Sequence, residues 1–526
     1  MGITLWLLIF VVVVIVLWLL VSPNRNIEPV PSLPPSSRKP VILIIVDSLM
    51  DQPLKEAIAM GKAPAFQFLK KHGKYIPQVV SPFPTMSVCI DSTLLTGTTP
   101  NQHHIFGLCY MHPTEKRMVN LGTGLRETIV FGSKQIVTDS LTRLNQDFLS
   151  KDVTTIHEAL DQPTASINAV VYRGPFEHTL RSPRLAVLFN LLPRKIATMA
   201  PQIFSYGSLV QTSTHSQKAS AFFRYGMNDR FAQMELSSII ANKQLPAFSI
   251  VYLPDNDGDI HLKGTSEIKG IIQADQELQT ILHSFPSWED AIQQATFIVM
   301  GDSGQTNLLP DKKQSYIDLR QILKPFSIMP IRQKKPSEKD QLILCLNERS
   351  AYIYVSENVS IEDVIGKCKS ESKLDIIAWK EQDIIIVESG QTPGRLKFKE
   401  GGSFQDQYQQ SWHLEGDLAI LDLTVTENQQ VEYGLYPDVL LRLSGVMDAA
   451  QRMVVVTCSP GYEMIAEASP RHIGAAHGSL HHIDSYVPMI VTGTDSQPTH
   501  PRIIDLKNWI LQLVGSSNEE QQKKDE

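Results

Sequence analysis

Apolar runs of five or six residues, each closed by an acidic segment, recur along the chain. Val41 to Val46 is wholly apolar and ends in Asp47; Phe248 to Leu253 runs into PDNDGDIH, which holds Asp255, Asp257, Asp259 and His261. Thr296 to Met300 runs into Gly301-Asp302-Ser303-Gly304. Runs of this length fit strands buried on both faces of a parallel sheet. The carboxyl ends of such strands are where open α/β sheets place ligands. Met453 to Thr457 reads as a further strand, and beyond it GAAHG, with His477 and Gly478, precedes the apolar stretch Tyr486 to Val491. The pattern predicts an α/β fold with a mostly parallel central sheet flanked by helices. For Asp47 alone, capping a helix that starts near Pro53 is the plainer alternative.

Between the first two strands lies the stretch around which the chain is organised, Ser81 to Gly107. Pro82 and Pro84 punctuate a loop, Ser87 to Leu95 can bury a helix, and Thr96-Gly97 with Pro100 stops it. A hydroxyl at this loop-to-helix junction meets free backbone N–H groups and the positive end of the helix dipole, which favour an anion. Ser87 is the best such hydroxyl and Thr85 the next. A hydroxyl needs a base or a metal to ionise it.

From Lys334 to Tyr436 short apolar strands alternate with acidic helix-like stretches such as Ser360 to Ile365. This reads as a small α/β insertion over 334–436, within a catalytic body of 41–333 and 437–515. Insertions at the ligand end of a sheet commonly cover the site and set substrate choice.

The N-terminus predicts a transmembrane helix within 1–22: Ile3 to Val21 carries only Thr4 as a polar residue, with Trp6 and Trp18 near its ends. That is long enough to cross roughly 30 Å of hydrocarbon. A cleaved signal peptide is the rival, but no basic region precedes the run and no clean small-x-small site follows. Six prolines between Pro23 and Pro40 then suggest an extended, semi-rigid stalk. Residues 516–526, SSNEEQQKKDE, read as a solvated tail. The expected setting is a single-pass cell-membrane protein with an extracytoplasmic body. Arg25, Arg38 and Lys39 argue the other way, though long domains translocate largely regardless of flanking charge.

A net charge of −7 without long basic runs excludes a dedicated nucleic-acid binder. Five scattered cysteines with no CxxC read as buried thiols, neither a metal framework nor a disulfide one. The chemistry therefore rests on the acidic strand ends. Asp257 and His261 are four apart, so one helical turn puts both on one face. A mixed Asp/His set suits Zn²⁺ or Mn²⁺.

VDS at 46–48, FPTMS…TLLTG…P, D-x-x-x-H-x-x-G at 257–264, GDSG at 301–304 and HG at 477–478 occur in that order. Together they resemble the alkaline phosphatase superfamily, in particular its type I phosphodiesterase/nucleotide pyrophosphatase branch. The similarity runs from about Val41 to Pro325 and from about Tyr436 to Leu513. The resemblance implies a metal-dependent phosphoric ester hydrolase acting on a phosphate-ester substrate. In such enzymes the nucleophile lies nine residues before the Thr of the Thr-Gly pair, which selects Ser87 over Thr85. By the same carry-over Asp257, His261 and His477 would hold one divalent ion, Zn²⁺. Asp47, Asp302 and Ser87 would face a second, Zn²⁺, Mn²⁺ or Mg²⁺.

Two departures stand out. Ser303 replaces the family's usual His, leaving an all-oxygen second site that favours harder ions and could recruit Asp91. Ile90 replaces an Asn that helps bind phosphoryl oxygens in nucleotide pyrophosphatases, which puts nucleotide specificity in question. Cys89-Ile-Asp-Ser-Thr does not fit a sulfatase. The alternative is a catalytically impaired pseudoenzyme or phosphate-ligand binding protein on the same fold. Of the remaining polar residues, His103 and His104 are expected to serve packing and loop bonding, and His481 and His482 a solvated loop. Asp255 and Asp259 are expected beside the ligands or exposed. Arg173 is either a phosphate grip or half of a structural ion pair.

Overall fold

The computed structural model describes residues 26–33, 38–213, 226–448 and 451–515. The expected membrane segment at 1–22 and the tail at 516–526 lie outside these residues. Among the described residues no helix is long and apolar enough to cross a membrane.

Seven strands form the central sheet in the order Gly73–Val80, Tyr486–Thr492, Thr296–Gly301, Val41–Val46, Phe248–Leu253, Thr164–Ile167, Ile203–Ser205. Only Tyr486–Thr492 runs against the others, pairing antiparallel with both of its neighbours. The expected mostly parallel sheet is therefore present. Its central strand shows why an unbroken apolar run was needed. Val41, Leu43 and Ile45 belong to one hydrophobic core, packed with Leu94 and Ile510, whereas Ile42, Ile44 and Val46 belong to another, with Leu236 and Leu278. Side chains alternate across a strand, so a sheet covered by helices on both faces wants apolar residues at every position.

Register then positions the chemistry. Val46 pairs with Gly301 on one side and with Leu253 on the other. The three strands end in step, and the next residues are Asp47, Asp302 and the Pro254-Asp255 turn into the helix Asp255–Lys263. The helix beginning near Pro53 is Asp51–Ala59; its N-cap is Met50, without a side-chain cap bond, so Asp47 does not cap it.

Two expectations change. The described part of the Pro23–Pro40 stretch is not a spacer. Residues 26–33 lie on the body: Ile27 bridges to Gln211, and Val30 and Leu33 pack against the second core. Apolar side chains between the prolines, and an N–H at Glu28 that donates to the Gln211 carbonyl at 2.9 Å, give this segment something to dock with. The 334–436 insertion is likewise not self-contained. Its strands form a second, mostly antiparallel sheet of nine, whose third strand is Met453–Cys458, from beyond the insertion. A buried apolar run fits either sheet equally well, and periodicity cannot choose between them.

His103 and His157 are fully buried. Nδ1 of His103 accepts from the Ile105 N–H at 3.1 Å and Nε2 faces Thr93 Oγ1 at 3.1 Å, so the neutral ring uses both nitrogens. Packing and loop bonding, as expected, are what His103 does. Burial pushes each of the two imidazoles down to about 3. The unfolded chain, with histidines near ~6.5, binds more protons, so this contribution to stability is full above about pH 6.5. It falls as the pH drops toward about 3, by up to ~1.4 kcal/mol per pH unit for each ring. The melting temperature of His103→Gln should therefore fall less steeply than that of the parent between pH 7 and 5; equal slopes would count against neutral burial.

Candidate metal centre and nucleophile

At the carboxyl ends of the strands, backbone geometry fixes the carboxylates before side chains add anything. Ser48 adopts a left-handed conformation (φ 55°). Its N–H and that of Ser303 both donate to Asp302 Oδ1, at 2.8 and 2.7 Å. Asp302 Oδ2 accepts from the Tyr252 hydroxyl at 3.2 Å. That hydroxyl lies within hydrogen-bonding reach of the Ser87 side chain. Burial first, then Asp302, Asp47 and Asp91 around it, push the Tyr252 phenol well above its ordinary range. The oxygens expected around the second ion thus surround one tyrosine.

Ser87 is the first residue of the helix Ser87–Thr96, whose other residues are all buried. The first N–H groups of a helix have no intrahelical acceptor, so the half-buried Ser87 sits where an anion is favoured. Thr85 is differently employed. Its hydroxyl accepts from the Gly478 N–H at 2.8 Å, and its carbonyl accepts from His477 Nδ1. Gly478 must be glycine here: its φ is +108°, and a Cβ would stand 2.3 Å from the Asn347 carbonyl oxygen.

Asp257 and His261 share one face of their helix, as their spacing predicts, with His261 Nε2 3.2 Å from Asp257 Oδ1. His477 arrives on the short strand Ala475–Ala476, paired with Thr306–Asn307, and its Nε2 is 3.9 Å from the same oxygen. Both rings spend Nδ1 on a backbone carbonyl, His261 on Ala475 at 2.9 Å and His477 on Thr85. Nε2 of each is thereby turned toward Asp257, where a proton or a cation can sit between them. Ligating atoms of these three residues lie within 4.8 Å of one another. Two oriented imidazoles and a carboxylate at this spacing fit a divalent ion.

Several neighbours were not legible as site residues. Gln305 Nε2 donates to Asp257 Oδ1 at 2.7 Å and to Ser48 Oγ at 3.0 Å. Glu348, from the expected insertion, brings Oε1 to 3.9 Å from Nε2 of both His261 and His477. His472 stacks on His261 with ring centroids 4.1 Å apart. Burial alone would lower the His261 imidazole, but Asp257 and Glu348 outweigh it and raise the group to about 10. A positive charge is strongly favoured at this spot.

The second centre is looser. Among the described residues, Asp47, Asp91 and Asp302 do not form a ligand group as close as the first. Ser303 turns its hydroxyl to Ser48 Oγ at 3.2 Å. Asp91 is fully buried; burial and then Asp302 push its carboxyl up to about 8, against the N–H groups of Val170 and Val171. Its Oδ1 has no hydrogen-bond partner among the described residues. This orphaned oxygen is open to a further polar or cationic neighbour.

Other candidates prove structural. Arg173 pairs with Glu158 at 2.8 Å and donates to the Leu149 and Ser150 carbonyls. Asp255 and Asp229 each donate a backbone N–H to the other's carboxylate, and Asp259 faces Lys263 at 3.5 Å. Ile90 is buried in the core. His481 is not in a solvated loop: it is buried, edge-on to Tyr436, and starts the short helix His482–Ser485.

Solved structures with the same architecture include human ectonucleotide pyrophosphatase/phosphodiesterase 5, at TM-score 0.54 and 12% identity, covering 91% of this chain and 96% of that one. The murine counterpart, an inactive threonine-to-alanine variant in complex with AMP, matches at TM-score 0.53 and 13% identity over the same shares. Phosphonoacetate hydrolase from Sinorhizobium meliloti 1021, in complex with phosphonoacetate, matches at 0.54 and 14%, covering 93% and 100%. These likenesses establish the fold. No curated protein matches the sequence closely enough to count as a relative. The model of the type I phosphodiesterase/nucleotide pyrophosphatase family matches residues 41–479, most of the chain and nearly all of the body just described, and the chain belongs to that family.

Proposed function

We propose that this chain is a metal-dependent phosphoesterase that uses Ser87 as its nucleophile. The observation that carries the reading is the convergence of Asp257, His261 and His477 on one point, with Ser87 at the head of a helix beside Asp302 and Tyr252. Divalent ions, one at the Asp/His centre and one among the oxygens of Asp47, Asp302, Ser87 and Asp91, would supply the charge that ionises a serine hydroxyl and neutralises phosphoryl oxygens.

The chain's own groups supply the rest. Free N–H groups at the start of the Ser87–Thr96 helix receive a phosphoryl oxygen. Ser87 Oγ attacks phosphorus, the alcohol leaves, and water then hydrolyses the phosphoseryl ester. Tyr252 and Asp302, linked by their hydrogen bond, hold the nucleophile's surroundings in place. Two features of the structural neighbours agree with this: an inactive threonine-to-alanine variant of one binds AMP, and another binds phosphonoacetate. The substrate class is accordingly a phosphate ester, with Ile90 arguing against a site built for nucleotides alone.

A second reading, a metal-poor binding protein, is favoured by Ser303 and by the looseness of the second centre. One tightly held ion and no turnover with added Zn²⁺, Mn²⁺ or Mg²⁺ would select it.

The apolar run Ile3 to Val21 supports a membrane anchor with the body outside the cytoplasm. Protease added to intact cells should release the body by cutting near the anchor; protection until the membrane is broken would reverse the orientation. For the chemistry, Ser87→Ala should lower hydrolysis of aryl phosphomonoesters and diesters by at least about 10³-fold while leaving metal content intact. Unchanged turnover in that variant would remove Ser87 from the mechanism.

A further inference from the structure

Glu348 lies in the tight hairpin between the strands Leu342–Asn347 and Ser350–Val355 of the second sheet. Its φ of 57° is uncommon for a residue other than glycine or asparagine. The turn is held from both sides. Asn347 accepts from the N–H groups of Leu108 and Cys109, at 2.7 and 3.1 Å. Arg349 is fully buried, pairs with Asp484 at 2.5 Å and donates to Thr306 Oγ1 at 2.8 Å. The Arg349 N–H also donates to the His477 carbonyl at 3.0 Å. With its neighbours fixed, the Glu348 side chain has one place to go.

That place is the Asp257, His261, His477 centre. Oε1 stands 3.9 Å from each of the two Nε2 atoms. Oε2 accepts the His477 backbone N–H at 3.1 Å and lies 3.9 Å from His472 Nδ1. His472 is itself held by Glu463 at 2.6 Å. The carboxylate is thus oriented by groups that are not ligands, as ligating side chains are. A tetrahedral ion with bonds of about 2.0–2.2 Å sets its ligand atoms roughly 3.3 Å apart. The 3.2 Å separation already fits, whereas each 3.9 Å separation needs about 0.6 Å of closure, and Glu348 also clusters with His261 and His472. The donor set, two imidazoles and two carboxylates, offsets a divalent charge in full.

We infer that Glu348 is a fourth protein ligand of the ion held by Asp257, His261 and His477. The inference rests on the metal-dependent reading above and extends it. An ion with four protein ligands lacks the open position usual at a catalytic zinc. A phosphoryl oxygen then reaches it only at a fifth position or by displacing Glu348. The hairpin thereby governs access to the ion as well as its retention.

The test uses the full-length chain, stripped by a chelator, titrated with Zn²⁺ against a competing chelator and separately with Co²⁺ while the visible spectrum is followed. Glu348→Gln keeps an oxygen that can accept the His477 N–H but loses the charge. It should weaken Zn²⁺ binding by more than about 100-fold, beyond the 10- to 100-fold that loss of an outer-shell partner costs, and change the Co²⁺ band. A Glu348 that only braces His477 predicts at most that smaller loss and the parent spectrum in this variant, and that result would overturn the inference while leaving the ion in place. A parent chain that binds no ion would overturn the metal-dependent reading and this inference with it. If Glu348→Gln does not fold, Glu348→Asp carries the test, since it keeps the charge and withdraws the oxygen; undiminished affinity there would equally overturn it.

Discussion

Buried negative charge at one edge of the sheet is the constraint from which the rest of the structure follows. Asp47, Asp91 and Asp302 are buried within the influence of a single phenol, and Asp257 and Glu348 lie just beyond. Unpaired carboxylates in a low-dielectric interior are costly and need opposite charge or several hydrogen bonds. Hydrogen bonds cover part of the need, through the N–H groups that Ser48 and Ser303 give to Asp302 and Val170 gives to Asp91. Two buried guanidinium groups of the body are engaged elsewhere. Arg349 is committed to Asp484, and Arg173 to Glu158 and backbone carbonyls. Buried charge assembled this way favours a cation close by.

The parts of this site legible in the sequence are those set by local rules. Apolar runs locate strands, their ends locate Asp47 and Asp302, and a four-residue spacing joins Asp257 to His261. His477 and the choice of Ser87 came from motif order. Glu348 carried no such signal. Asn-Glu-Arg-Ser between two apolar runs reads as a hairpin turn, but where a turn points depends on how two sheets pack. Tyr252 was hidden for the opposite reason, since an aromatic residue inside an apolar strand looks like core. The Met453–Cys458 strand and the docked 26–33 segment show the same limit: hydrophobic pattern says that a segment is buried, not against what.

Ser303 changes the balance between the two halves of the site. The Asp/His half has nitrogen donors with fixed tautomers and close spacing, whereas the other half offers oxygen alone, spread around Tyr252. Oxygen donors bind harder ions and hold them less tightly than imidazole-containing sets hold zinc. The two positions should therefore differ in both affinity and preferred ion.

The second sheet is consequently part of the catalytic body rather than a cover added to it. Its hairpin supplies Glu348 to the centre, and the adjacent Arg349 forms a fully buried pair with Asp484, which also accepts from the Ser479 N–H two residues past His477. Breaking a buried pair by removing one partner typically costs 3–5 kcal/mol, because the other charge is left uncompensated. Here that cost would fall on the loop that carries His477 and on the turn that carries Glu348 together. Stability of the sheet junction and geometry of the ion centre are therefore coupled through two adjacent residues of one turn.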